Sequence, residues 1–247
     1  GPRPLSVRPY YARLTQALIT ALTAPMAEGR LYEVDMRLRP SGNQGPVATS
    51  WPAFRSYQQD EAWTWEHLAL TRARVIAGEP GLAEDIEAVR TALIAEKAER
   101  APVLRAVAEM RARVAEAKPP EGAWDVKLGP GRLLELELVA QAGNLLAAQD
   151  ARDPVSGLRG AVASGWLDAA DGAALEAALG LCSGLQMVAR LFGDGPLDPD
   201  RIGKAGTAFV LRETGEESVE MLGYRLVRTC DEAARVIAAA LPARAEG

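Results

Sequence analysis

Apolar residues recur at helical spacing along most of this chain. Near the start, Tyr11, Leu14, Leu18 and Leu22 mark one amphipathic helix. Pro25 and Glu28-Gly29 end it. A different period follows. Tyr32, Val34, Met36 and Leu38 alternate with Glu33, Asp35, Arg37 and Arg39, which predicts a strand with one apolar and one charged face. Pro40 stops it, and residues 41–46, Ser-Gly-Asn-Gln-Gly-Pro, form a loop by turn chemistry. Val47 to Ser50 is a candidate short return strand.

From Trp51 the pattern is helical again. Trp65, Leu68, Arg72 and Val75 predict one long helix. Leu82, Ile86, Val89 and Leu93 predict a second, with Pro80 in its first turn, and Leu104, Val107, Met110 and Val114 a third. Residues 118–122, Lys-Pro-Pro-Glu-Gly, break the chain. Leu134 to Leu146 reads as helix, although its alternating start leaves a strand open there. Asp153-Pro154 begins a short helix, Asp168 caps a longer one to about Leu191, and Val219 to Leu241 forms the last. Asp194 to Gly206 reads as a loop. The expected fold is mainly α: an antiparallel helical bundle, residues 51–247, behind a small α/β remnant, residues 1–50, of one helix and one or two strands.

Composition agrees. The 247 residues are 48% hydrophobic, 25% charged and only 5% aromatic, an ordinary globular balance that favours helix. A net charge of -5 without a basic tract argues against nucleic-acid or anionic-membrane binding. No uninterrupted apolar run reaches the roughly 20 residues of a bilayer span, and no signal-peptide pattern opens the chain. Cys182 and Cys230 lie far apart among apolar residues and read as buried free thiols of a cytoplasmic protein. One histidine and two separated cysteines argue against a zinc site.

The chemistry concentrates in Glu33-Val34-Asp35-Met36-Arg37-Leu38-Arg39. A strand-borne carboxylate can hold a divalent cation, and a planar guanidinium donates two hydrogen bonds to a phosphate. A solvated face with cross-strand ion pairs fits the same spacing. Other candidates are weaker. Glu66 and His67 have catalytic types, but a lone helical histidine is usually structural. Trp63 and Trp65 read as packing, and one of Arg72 and Arg74 should pair with a carboxylate. The stretch from Lys127 to Arg132 is glycine-rich and basic but lacks the Gly-Lys-Ser/Thr ending of a phosphate loop. Glu135 and Glu137 fall on different sides of a helix.

Taken together, these residues resemble bacterial glutamine synthetase adenylyltransferases. The resemblance rests on the run from Leu31 to Gly42, then Thr49-Ser50, Phe54 with Tyr57-Gln58, the run from Glu61 to His67, and Arg72 to Val75. It is dense from Tyr10 to Ile76, fainter through Lys127 to Gln141 and weak beyond Asp194. In that family one nucleotidyltransferase copy attaches AMP to a tyrosine of glutamine synthetase and another removes it. The wording here is similar to the attaching, C-terminal copy, so that residues 240–244 would lie near a natural C-terminus. The resemblance implies a polymerase-β-type site with three metal-binding carboxylates. Asp35 matches the third, implying Mg2+ binding and activation of the attacking tyrosine oxygen. It also implies ATP as substrate, and Arg37, Arg39, Glu33 and Lys127 as substrate-binding residues. Glutamine synthetase and the PII signal protein are the implied partners.

Two departures matter. No Gly-Ser followed by Asp-x-Asp occurs in this sequence; those elements are expected upstream of Gly1. The family's Gly-Gly-Leu-x-Asp-Ile-Glu-Phe reads Gly131-Arg132-Leu133-Leu134-Glu135-Leu136-Glu137-Leu138 here. The alternative is therefore a catalytically inactive helical module that docks glutamine synthetase or neighbouring domains. The Tyr32–Leu38 strand would also need a substitute partner, from the first segment folding back on the bundle or from another molecule. An isolated, extended strand exposed on both faces would count against the reading.

Overall fold

A computed structural model describes residues 5–30 and 32–243. Leu31, where the resembling run begins, and Arg244 lie outside the described residues. The chain divides into two compact units, Gly1–Glu66 and His67–Gly247.

In the first unit, α1 (Val7–Thr23) follows the predicted period. None of its residues is buried, and Tyr11, Leu14 and Leu18 are all exposed. Two short strands, β1 (Pro25–Met26) and β2 (Gly29–Arg30), pair antiparallel as a hairpin, with Gly29 at a φ of 99°. That positive φ is what glycine supplies without steric cost. The hairpin accounts for the strand content of the described residues. The strand predicted over residues 32–38 does not form, and neither does the return strand over 47–50. A strand is stabilised by ladder partners, and among the described residues this segment has none. Its one early tie is the Tyr32 amide donating to the Leu22 carbonyl at 3.3 Å. From Arg37 the backbone turns, and Gly42–Gln44 makes a single 3-10 turn. Helix α2 (Trp51–Asp60) closes the unit.

The unit boundary falls inside α3 (Thr64–Leu70), so the long helix expected through Val75 stops five residues short. The cause is side-chain capture of its C-terminal end. Thr71 Oγ1 donates to the Leu68 carbonyl, and the buried Arg90 donates through Nε to the Leu70 carbonyl at 3.0 Å and through Nη2 to the Thr71 carbonyl at 2.8 Å. These bonds satisfy carbonyls that a helix end leaves free.

The second unit is helical. It holds α4 (Pro80–Glu96), α5 (Arg100–Ala117), α6 (Leu133–Leu146), α7 (Pro154–Ala163), α8 (Ala169–Arg190), α9 (Gly203–Thr214) and α10 (Val219–Ala240). The expected starts are realised by caps: Asp153, Asp168 and Ser218 accept from the amides of Ser156, Asp171 and Met221. Residues 133–138 are helix, which settles the alternation there. Helix α9 falls partly in the stretch read as loop; its glycines at 203 and 206 hid it.

One core cluster joins α6, α7, α8 and α10 through Leu136, Leu158, Leu175, Leu185, Leu222 and Leu226. A smaller one gathers Leu68, Ile94, Val103, Val107 and Leu145. Helices α6 and α7 approach closely because Gly143 and Gly157 face each other's helix: a Cβ on Gly157 would lie 2.2 Å from the Ala140 carbonyl oxygen. Helix α8 is, by length and composition, apolar enough to cross a bilayer, although charged residues interrupt it. The burial of Leu175, Leu179, Cys182 and Leu185 within the protein marks it as a core helix.

Candidate functional site

The Glu33–Arg39 segment is built from short-range contacts. The Asp35 carboxylate accepts from the Arg37 amide at 2.9 Å and from Arg37 Nε at 2.8 Å, with Nη2 at 2.5 Å. A carboxylate accepting its i+2 amide is an Asx-type turn, which bends the chain away from an extended strand. This local closure is the physical reason that the alternating sequence does not become a ladder. The Arg37 guanidinium beside Asp35 holds its carboxyl down at about 2, and the same pairing raises Arg37 above its ordinary value. Both side chains are more than half exposed, so the pair sets protonation state and orientation rather than stability.

Arg39 does something different. Its Nη1 donates to the Met36 carbonyl at 2.6 Å, its Nε to the Gly45 carbonyl at 3.0 Å and its Nη2 to the Asn43 carbonyl at 3.2 Å. It is the pin of the 36–45 turn. Ser41 takes the left-handed conformation there, and Pro40 is buried beneath. Glu33 is exposed and pairs with Arg30 at 3.5 Å. Tyr32 and Leu38 are exposed, whereas Val34 and Met36 are half-buried. The segment is thus not a paired strand: residues 32–36 take no regular structure, and turns begin at Arg37. Its exposed apolar positions count against a complete sheet-borne site on this chain.

Glu66 is buried and structural within the same unit. It accepts from the Tyr57 hydroxyl at 3.0 Å and from the Trp63 amide at 2.9 Å. Burial pushes the Tyr57 hydroxyl above its ordinary value. Trp63 is 69% exposed, so the packing role expected of it is not realised within the described residues.

Lys127 belongs to the other unit. It is exposed and lines a pocket of about 240 Å3 with Arg190 and the 194–197 turn. The loop that carries it is held from beneath. The buried Asp125 accepts from the amides of Glu121, Lys127 and Leu128, and Arg132 donates to the Asp125 and Ala123 carbonyls. Gly131 has a φ of 66°, and a Cβ on it would lie 2.0 Å from the Cys230 carbonyl oxygen. Glycine is therefore required twice over, by conformation and by proximity.

Glu135 accepts from the Gly131 amide at 2.8 Å and from Arg111 Nε at 2.5 Å, and Glu137 pairs with Arg72 at 3.3 Å. Both acids hold the bundle together, and Arg72 finds the carboxylate expected for it. The sequence reading missed Arg90 and Arg152. Glu87 and Asp150 join them in a cluster that ties residues 70–75 to α4. Its two halves, Glu87 with Arg90 and Asp150 with Arg152, are 60 and 65 positions apart across their hydrogen bonds, so no local pattern joins them.

No group of three or more histidine, cysteine or acidic side chains within reach of one ion occurs among the described residues. Mg2+ needs about six oxygen ligands. Asp35 offers one carboxylate, and Arg37 occupies both its oxygens. These residues do not by themselves fit a Mg2+ site.

A family model described as glutamate-ammonia ligase adenylyltransferase matches residues 1–89. Three of its curated relatives are named bifunctional glutamine synthetase adenylyltransferase/adenylyl-removing enzyme. The one from Rhizobium meliloti is 46% identical over 205 residues, 81% of this chain and 21% of the relative. The one from Brucella suis is 52% identical over 145 residues, 59% of this chain and 15% of the relative. The one from Rhodopseudomonas palustris is 42% identical over 208 residues, 82% of this chain and 21% of the relative. The chain therefore spans about a fifth of the length of the relatives it matches over most of its own.

Proposed function

The chain belongs to the glutamate-ammonia ligase adenylyltransferase family, and on that premise we propose that it forms part of an enzyme that transfers AMP from ATP to a tyrosine of glutamine synthetase. The observation that carries this is the 46% identity over 205 residues, 81% of the chain, beside a family-model match to residues 1–89 that includes Asp35. On this reading residues 1–50 come from the edge of a nucleotidyltransferase domain and residues 51–247 from a helical domain, whereas the compact units divide after Glu66.

Asp35 is the residue assigned to the reacting end. Its carboxylate is ionised at neutral pH, and Arg37 lowers its proton affinity further. An ionised carboxylate can accept a hydrogen bond from an attacking tyrosine hydroxyl and stabilise positive charge beside it. Arg37 is exposed and adjacent, placed to meet phosphate oxygens when it exchanges one partner for another. Arg39 acts through the turn, since its donors are spent on carbonyls. Mg2+, when bound, would neutralise triphosphate charge; with one carboxylate available here, no step is routed through it. Glu33 and Lys127 are assigned to substrate contacts on the strength of the resemblance, as are the PII partnership and a cytoplasmic location. On its own the 247-residue chain is expected to transfer no AMP to glutamine synthetase, because the resemblance implies three metal-binding carboxylates and Asp35 matches one.

The test is a chimera. The 247-residue chain replaces the matched stretch of the Rhizobium meliloti relative, and labelled AMP incorporation into glutamine synthetase is measured. Retained incorporation supports the proposal; complete loss in a folded chimera refutes it. One observation favours a second reading, a docking module: α1 presents Tyr11, Leu14 and Leu18 to solvent with nothing of its own buried. Calorimetric titration of ATP with Mg2+ into the chain separates the two. Heat that Asp35→Ala abolishes rules out a docking role alone.

A further inference from the structure

Cys182 on α8 and Cys230 on α10 stand far apart in sequence, yet their sulfurs are 3.7 Å apart in the core. Both thiols are free. That separation is van der Waals contact, against about 2.05 Å in a disulfide, so closure requires the sulfurs to approach by roughly 1.6 Å. The neighbourhood is polar on one side. The Arg132 guanidinium acts on both thiols in the direction that favours thiolate, and with Cys182 as donor Cys230 is the sulfur on which negative charge is favoured. Burial and the shared hydrogen bond push Cys182 upward. The Cys230 backbone is also the surface against which Gly131 packs, so Cys230 links the thiol pair to the Lys127–Arg132 loop.

We propose that Cys182 and Cys230 form a two-electron oxidation site, closed to an intramolecular disulfide by a peroxide, and that closure alters the Lys127–Arg132 loop. Cys230 thiolate attacks one peroxide oxygen and the O–O bond breaks. The leaving hydroxide takes the Cys182 proton and departs as water, leaving a sulfenic acid at Cys230. Cys182 thiolate then attacks the Cys230 sulfur, the S–O bond breaks, and the hydroxyl leaves as water with the proton first released from Cys230. Two thiols and one hydrogen peroxide become one disulfide and two waters. Hydrogen peroxide is the fitting oxidant because the pair is buried, and a small neutral molecule reaches it through local opening. The loop responds because the Cys230 carbonyl leaves no space beside Gly131.

The test uses the complete 247-residue chain without denaturant. After hydrogen peroxide treatment, intact mass without reductant should fall by two hydrogens. Peptide mapping should link Cys182 to Cys230, and dithiothreitol should reverse both. Cys182→Ala should instead accumulate a sulfenic acid at Cys230 that dimedone traps. Hydrogen exchange in residues 125–132 should differ between oxidised and reduced protein at least threefold. Overoxidised or unmodified cysteines, or a disulfide between two chains, overturn the site. A linked pair with unchanged exchange in 125–132 overturns its coupling to the loop. The wild-type mapping decides even where Cys182→Ala does not fold.

Discussion

Replacing Arg90 with methionine removes the side chain that ends α3. Arg90 is 3% exposed and serves two backbone carbonyls, of Leu70 and Thr71, besides its acidic neighbours. Each buried carbonyl left without a donor costs about 1–3 kcal/mol. The ionic part contributes less, because the Asp150 side chain is 58% exposed and solvent screens it. Methionine keeps the stem's packing, so the expected loss is about 3 kcal/mol, from the carbonyls. For a unit of this size that is a fall in Tm of roughly 6–12 °C. Circular dichroism during urea and thermal unfolding gives the number. Asp150→Ala should cost under about 1 kcal/mol, and Arg90→Lys should recover little of the loss, since the two carbonyls are met by separate nitrogens of a planar guanidinium that an ammonium does not reproduce. If Arg90→Met costs under 0.5 kcal/mol on the order of a surface substitution, or if Asp150→Ala matches it, the reasoning fails.

Other outcomes follow from the same geometry. The Asp35 carboxyl should titrate at about 2 by carbon-detected NMR, and Arg37→Gln should return it toward the ordinary aspartate value of 3.8. The sign follows: a depressed folded value means that the turn is favoured above the ordinary carboxyl range and weakens as pH falls through about 2. Gly131→Ala should destabilise the second unit by roughly 3 kcal/mol, through clash and strain together, read by urea unfolding. Glu66→Gln should cost about 1–2 kcal/mol by weakening charge-assisted bonds from Tyr57 and Trp63, and it should lower the Tyr57 hydroxyl toward its ordinary range in an ultraviolet pH titration.

The helices were legible because their information is local. Asp153, Asp168 and Ser218 each sit one residue before the helix they cap, and the period behind them is unbroken. The Tyr32–Leu38 alternation is equally clear, yet it makes no strand. A strand is a statement about partners, and its charged face closed instead on itself through Asp35 and Arg37. The end of α3 was unreadable for a related reason: the residue that stops it, Arg90, comes 19 positions after Thr71. Glu135 and Glu137 were visible as acids, but their partners Arg111 and Arg72 are set by packing. Cys182 and Cys230 read as buried and free, and so they are; only the fold brings their sulfurs together.

The central claim is that Asp35 belongs to an AMP-transferring site. In the chimera carrying this chain within the Rhizobium meliloti relative, kcat/KM for AMP incorporation into glutamine synthetase is measured with Asp35 and with Asp35→Asn. Asparagine keeps the size and the Asx-type turn while removing the charge. The expected loss is roughly 100-fold or more, as for removal of a fixed charge that stabilises the transition state. A kcat/KM within about threefold of the parent chimera would contradict it and leave this segment a structural turn.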